Sequence, residues 1–202
     1  MRVEEFIKKL YESHKEYLEE WWPLVSDTLD YKLEEILISC ILVQKSPWSR
    51  VREVIKKMKE DGLLGLNEIY KRGIEEIAQY LKERKINFAR RKAELLYEAS
   101  KYVIENYGSL VNMIIGKNCE EIKKELLKIP GIGKMSCYYI MLYGLDCKDV
   151  LPDLIYLTSQ TREFVEKFGI KYEELKEYVR KITPLEAKMI YALVFEASKN
   201  GR

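Results

Sequence analysis

The sequence has one histidine, three glutamines and five prolines, no uncharged apolar run of transmembrane length, and no excess of either charge: 35 Lys+Arg stand against 33 Asp+Glu. The missing apolar run excludes a spanning helix, which needs about 20 such residues. The first residues, MRVEEFIKKLYESHKEY, are charged throughout and offer no apolar core of signal-peptide length, so the expected location is cytoplasmic, without a membrane partner. Four cysteines, Cys40, Cys119, Cys137 and Cys147, stand far apart with no CxxC pair. That spacing argues against a metal site or a disulfide framework and for reduced intracellular thiols. A net charge of +2 excludes a dedicated cationic tail, so any affinity for nucleic acid must come from local patches. The lone His14, in a charged first helix, reads as a surface residue.

What is present describes a globular protein: 47% hydrophobic and 34% charged residues rule out collagenous, disordered and disulfide-knot classes. At roughly 100–200 residues per domain, 202 residues allow one domain or two small lobes. The charged residues are mostly Lys and Glu, a bias that resembles hyperthermophile composition and speaks of habitat, not activity.

Apolar residues recur at spacings of three and four almost everywhere, which predicts an all-α chain. A first helix is expected over 3–20, broken by a segment containing Trp22-Pro23. A second, from Tyr31 to Val43, carries charges only at its start and should be buried on most sides. Ser46 reads as an N-cap with Pro47 as first helical residue of a helix to about Lys59, stopped by Asp61-Gly62. Short helices over 66–72 and 74–84 follow, then a longer one from Asn87 to Tyr107 ended by Gly108. Helices 119–128 and 134–145 are separated by Ile129-Pro130-Gly131-Ile132-Gly133. After a polar loop, Asp153 is placed at an N-cap, with a continuous apolar stripe from Leu154 to Phe168. Two last helices, 171–182 and 184–200, are divided by Thr183-Pro184.

The segment Leu127-Lys128-Ile129-Pro130-Gly131-Ile132-Gly133-Lys134 carries the most chemical information. A GxG between two short helices exposes backbone N–H groups at a helix N-terminus, which is a phosphate-binding device. Glycine permits positive φ and close approach of a phosphate backbone. The same pattern is also what a plain tight connection between helices requires.

With its Leu-x-Ile-Pro and Lys flanks, this segment resembles the helix-hairpin-helix motif of DNA repair proteins. Asp153, 20 residues beyond Gly133, extends the likeness to the helix-hairpin-helix DNA glycosylase superfamily over nearly the whole chain. Ile41-Leu42-Val43-Gln44-Lys45-Ser46-Pro47-Trp48 is similar to the family's helix ending in a glutamine that fills the space of an extruded base, here Gln44. Within the superfamily the chain looks most like the monofunctional 3-methyladenine glycosylases related to endonuclease III. The features that point there are the Gln44 to Trp48 spacing and Trp21-Trp22-Pro23, residues which in similar enzymes line the base pocket. An aromatic face attracts a cationic alkylated base; plain core packing is the alternative reading of the pair.

The resemblance implies an all-α fold of two helical lobes with an intervening base-binding cleft. One lobe would comprise 1–30 and 146–202, and the other 31–145 with the hairpin at about 119–145. It makes Asp153 the catalytic carboxylate, supporting the positive charge that develops on the sugar. Asp153 also suits a simple helix cap. Counted back from Phe168-Gly169, the family position falls instead on Thr158, which would leave no carboxylate; the continuous stripe favours Asp153. Strand-cutting relatives place a lysine two residues after the second glycine. Here that residue is Met135, while Lys134 points about 100° away round the helix and suits a phosphate. Hairpin contacts to DNA are expected from Gly131, Ile132, Gly133 and Lys134. The carbonyls of Leu127, Ile129 and Ile132 are expected to hold Na+ or K+. No iron–sulfur cluster is expected, because the sequence through Asn200-Gly201-Arg202 lacks four clustered cysteines. The run Lys82, Arg84, Lys85, Arg90, Arg91 and Lys92 is either a solvated face or a DNA-backbone contact, chiefly through Arg90 and Arg91.

The expected function is therefore a monomeric DNA glycosylase that flips a damaged base, an alkylated purine such as 3-methyladenine, out of double-stranded DNA. It would hydrolyse the glycosidic bond without efficient lyase activity. The alternatives are a glycosylase for mismatched or oxidised bases and a non-catalytic DNA-binding protein.

Overall fold

The computed structural model describes residues 2–16 and 29–200, with backbone only for 29–32 and 200. Trp21, Trp22 and Pro23 lie outside the described residues. Every regular element described is helical, as the spacing predicts. The chain forms two compact units, Met1–Val25 with Met141–Arg202, and Ser26–Ile140.

In the continuous unit, α2 (Leu29–Leu42) is the central element: Leu33, Leu37, Ile38, Ile41 and Leu42 are completely buried. Each such side chain stabilises the fold by about 1.5–3 kcal/mol. Around it run α3 (Trp48–Glu60), α4 (Leu66–Glu83) and α5 (Ala89–Tyr107). The short α6 (Leu110–Ile114), α7 (Cys119–Leu126) and α8 (Lys134–Tyr139) complete the set, and a π-helical turn, Ile140–Gly144, carries the chain from α8 into the other unit. Gly73, at φ 76°, breaks α4 where the sequence expects two short helices to meet. Helix α6 is not anticipated by the periodicity; a Ser109 cap on Asn112 N–H starts it.

The other unit comprises α1 (Val3–His14), a 3-10 turn at Lys148–Val150, α9 (Leu151–Leu157), α10 (Ser159–Lys167), α11 (Tyr172–Val179) and α12 (Pro184–Asn200). Phe6 on α1 meets Phe164 and Phe168 at 6.2 and 5.1 Å between ring centroids. Thr183 caps α12 reciprocally with Glu186, and Pro184 takes the first helical position, as the sequence indicates.

Three expectations are corrected. The stripe from Leu154 to Phe168 is not one helix. Thr158 adopts φ −106°, ψ 145° and caps α10 by accepting from Thr161 N–H, while Asp153 is the third residue of α9 and not its cap. Ser46 does not cap α3: Pro47 is the extended residue before Trp48, and the Ser46 hydroxyl accepts from Lys92 Nζ instead. Finally, Cys119 and Cys147 are disulfide-bonded, whereas Cys40 and Cys137 are free and buried. Disulfides persist in oxidising compartments and in the proteins of hyperthermophiles, whose composition this chain resembles.

Candidate nucleic-acid interface

Helix α7 begins in a capping box, with Asn118 Oδ1 accepting from Glu121 N–H and Glu121 Oε2 from Asn118 N–H. Its last turn tightens through Lys128 N–H to Glu125 O and Ile129 N–H to Leu126 O. Buried Ile129 and Ile132 pin the turn into the core, and Ile132 N–H closes it on the Ile129 carbonyl at 3.1 Å. The two glycines between and beyond them have different reasons to be there. Gly131 sits at φ +83°, and a Cβ on it would already be in van der Waals contact with Leu95 Cδ2 at 3.4 Å. Gly133 is extended and exposed, with no atom within 4 Å of where a Cβ would stand.

Gly133 also caps α8, and no side chain among the described residues accepts from its first N–H groups. The intrahelical ladder starts only at Cys137 N–H to Gly133 O, so the amides of Lys134, Met135 and Ser136 lack intrahelical partners. With Lys134 exposed beside them, this end can accept an anion. Met135 is half-buried as the second residue of the helix.

The loop after α2 reaches this turn. Gln44 is exposed, and its Nε2 donates to the Gly131 carbonyl at 3.2 Å, joining two motifs 87 residues apart on one face. Lys45 follows in the left-handed region at φ 54°, its carbonyl held by Asn87 Nδ2 at 2.8 Å and its ammonium 5.6 Å above the Phe88 ring. Phe88 is itself at φ 55° and 63% exposed. Non-glycine residues in that region are uncommon and persist only where their surroundings fix them. Trp48 lies half-buried as the first residue of α3.

The basic run divides. Arg84 lies on the Tyr80 ring and pairs with Asp61 at 3.2 Å; Arg90 pairs with Glu75 at 2.7 Å and Glu94 at 3.3 Å, and Arg91 with Glu94. Exposed pairs of this kind contribute little to stability, so phosphates can displace them. Lys92 is buried, and that burial alone lowers its pKa to about 8. Unlike its basic neighbours in the run, Lys92 falls on the apolar stripe with Leu96, Ala99 and Val103, which is the sequence signal for its burial.

In the other unit, Asp153 Oδ1 accepts from the Tyr172 hydroxyl at 2.6 Å, and Tyr172 packs edge-on against Tyr156 at 5.4 Å. Thr158 Oγ1 lies 2.7 Å from the Thr161 hydroxyl. Among the described residues no three His, Cys, Asp or Glu side chains gather in a way that could hold a metal. No helix among them is long and apolar enough to cross a membrane.

No family model matches the chain. A Methanocaldococcus jannaschii protein named "Putative DNA repair glycosylase" is 30% identical over 206 residues, spanning 96% of this chain and 88% of that protein. A thymine/uracil-DNA glycosylase of Methanothermobacter thermautotrophicus is 29% identical over 140 residues, 69% of this chain and 57% of its own length. Among solved structures, the H. pylori 3-methyladenine DNA glycosylase bound to 1,N6-ethenoadenine is similar at a TM-score of 0.69 and 21% identity, covering 100% of this chain and 99% of that one.

Proposed function

The chain belongs to the helix-hairpin-helix DNA glycosylase superfamily, and from that premise we propose that it releases an alkylated purine such as 3-methyladenine from double-stranded DNA by hydrolysis. The observation that carries the reading is the joining of Gln44 to the hairpin through the Gly131 carbonyl. It sets a side chain able to enter a base stack beside amides able to hold the phosphate backbone. Backbone contacts position an enzyme on a duplex without reading sequence, which suits a search for damage. Extruding the base leaves a gap, and Gln44 fills it.

The choice of an alkylated purine is supported by the likeness to the H. pylori enzyme over both whole chains and by Trp21-Trp22-Pro23 in the sequence. The thymine/uracil-DNA relative favours a second reading, excision of a mismatched pyrimidine. Excision assays on duplexes carrying 3-methyladenine, uracil, T·G and 8-oxoguanine separate them. Release of 3-methyladenine alone supports the first, and release from T·G or uracil duplexes replaces it with the second. Duplex binding without any release leaves a DNA-binding protein.

Catalysis is assigned to Asp153, whose carboxylate would stabilise positive charge growing at C1′ of the sugar as the glycosidic bond breaks. With Met135 in the place of a Schiff-base lysine, the reaction ends at the abasic site. Borohydride present during turnover is accordingly expected to trap no covalent adduct. A strong trapped band would assign the chemistry to another lysine, with Lys134 the first to test.

The cysteines do not suit an iron–sulfur cluster. Cys119 and Cys147 are disulfide-bonded, and burial pushes Cys40 up to about 12 and Cys137 to about 11, away from the thiolate a cluster needs. A monovalent cation is a better match to the hairpin. The Ile129 carbonyl uses one lone pair on Ile132 N–H and keeps another, and with the Leu127 and Ile132 carbonyls it would hold Na+ or K+ against a phosphate.

A further inference from the structure

Lys92 is 3% exposed, and its ammonium has two acceptors in the structure: the Leu42 carbonyl and the Ser46 hydroxyl, the latter at 2.7 Å. These acceptors stand on either side of Gln44. Leu42 ends α2, so its carbonyl is one of the four that a helix leaves without an internal partner. A cation is favoured at that end by the helix dipole, yet α2 has no basic residue in its own last turn. Lys92 supplies one from α5. Lys45, between the two acceptors, is held in the left-handed region, and Asn87 and Phe88 from the start of α5 brace it.

We infer that Lys92 is the positioning residue for Gln44: its ammonium fixes the 43–47 loop in the shape that directs Gln44 to the hairpin, and thereby governs how readily the enzyme holds an extruded base. The inference rests on the gap-filling role given to Gln44 above. Without the tie, Gln44 must be ordered at the moment of binding, which weakens damage recognition and leaves phosphate contact untouched.

The charged groups on α5, on the other helices of this unit and in the loop interact with groups other than Lys92. On α5, Glu94 is shared by Arg90 and Arg91; on α4, Glu75 pairs with Arg90; on α3, Arg50 pairs with Glu53; on α2, Glu34 accepts from Leu66 N–H and Glu35 faces Lys59; in the loop, Lys45 lies over Phe88. None of them offsets the burial that lowers Lys92 to about 8. As pH rises through that value, charge-assisted hydrogen bonds become neutral ones, roughly half as strong. Over the same range the unfolded chain keeps the proton that the folded one has lost, so this group makes stability rise with pH.

The experiment measures affinity for a duplex carrying a tetrahydrofuran abasic analogue and for an undamaged duplex, from pH 7 to 9, together with Tm. For the unaltered protein, affinity for the abasic duplex is expected to fall about threefold to tenfold across that range, while undamaged-duplex affinity holds steady and Tm rises by a few degrees. Lys92→Arg keeps its charge throughout and should bind with no such fall. Lys92→Met should bind the abasic duplex about tenfold more weakly at pH 7, and that loss should vanish in a Gln44→Ala background. A Lys92→Arg profile identical to the unaltered protein's, or a full Lys92→Met effect without Gln44, overturns the inference. Because Lys92→Arg preserves the cation, it decides the matter even if Lys92→Met does not fold. No preference of the unaltered protein for the abasic duplex would overturn the gap-filling reading itself.

Discussion

Gly131→Val is expected to lower the melting temperature by about 5–15 °C, whereas Gly133→Val should leave it within about 2 °C of the unaltered value. At φ +83° a β-branched residue costs about 1–3 kcal/mol. Its Cβ would lie 3.4 Å from Leu95 Cδ2 and 3.7 Å from Ile41 Cδ1, so its methyls must displace packed side chains at about 1–3 kcal/mol more. In a chain of this size each kcal/mol shifts Tm by about 2–4 °C. Gly133 has an extended backbone open to any residue, and a Cβ there meets nothing. Its side chain would stand before the amides of α8, where a phosphate is proposed to sit. Gly133→Val should therefore weaken binding to damaged and undamaged duplexes alike by about 10–100-fold, the value of charge-assisted hydrogen bonds. Duplex affinity unchanged in Gly133→Val would remove the hairpin from the DNA-contacting surface. Thermal stability unchanged in Gly131→Val would contradict the turn geometry itself.

That contrast marks how far the sequence could be read. Two glycines in a GxG look alike in a string, and only the backbone shows that one serves the turn and the other leaves an opening. Local chemistry was legible: Gly73 divides α4, Gly108 ends α5, and Thr183 with Pro184 starts α12. These signals act within a few residues, so the sequence contains all of their causes. The stripe of Leu154, Leu157, Thr161, Phe164, Val165 and Phe168 misled because periodicity reports a buried face, not an unbroken axis. Two helices can present one face across a cap, and the cap here is made by Thr158 and Thr161, whose hydroxyls compete with the helix ladder.

Long-range pairings were the least legible. Nothing near Lys92 in sequence announces a carbonyl 50 residues away, so it was grouped with its exposed neighbours. The disulfide-bonded state of Cys119 and Cys147 was hidden for the same reason. Gln44 was found because a family resemblance, not its spacing, singled it out, and its bond to Gly131 needed the fold.

The break at Thr158 bears most on the catalytic assignment, and the expected result is that Asp153→Asn lowers the single-turnover rate of base release by about 10³-fold or more while DNA binding survives. Such a loss corresponds to about 4 kcal/mol of transition-state stabilisation, in the range of one well-placed electrostatic group. Asp153 has a competing occupation, since its Oδ1 accepts from Tyr172 and so ties α9 to α11. If that tie were its whole purpose, Asp153→Asn and Tyr172→Phe would both lower Tm and leave the rate alone. If the carboxylate acts on the sugar, Tyr172→Phe should lower the rate by up to about tenfold through lost orientation, and Asp153→Asn far more. Thr158 supplies the opposing test, because it occupies a helix start, where the family resemblance places the aspartate. Thr158→Ala should cost about 1 kcal/mol of stability as a lost cap and leave base release intact. Thr158→Asp keeps the cap and adds a carboxylate at that position. A rise in base release from Thr158→Asp, together with an unaltered rate in Asp153→Asn, would move the catalytic position to 158. It would also mean that this chain, with threonine there, recognises damage without cleaving it.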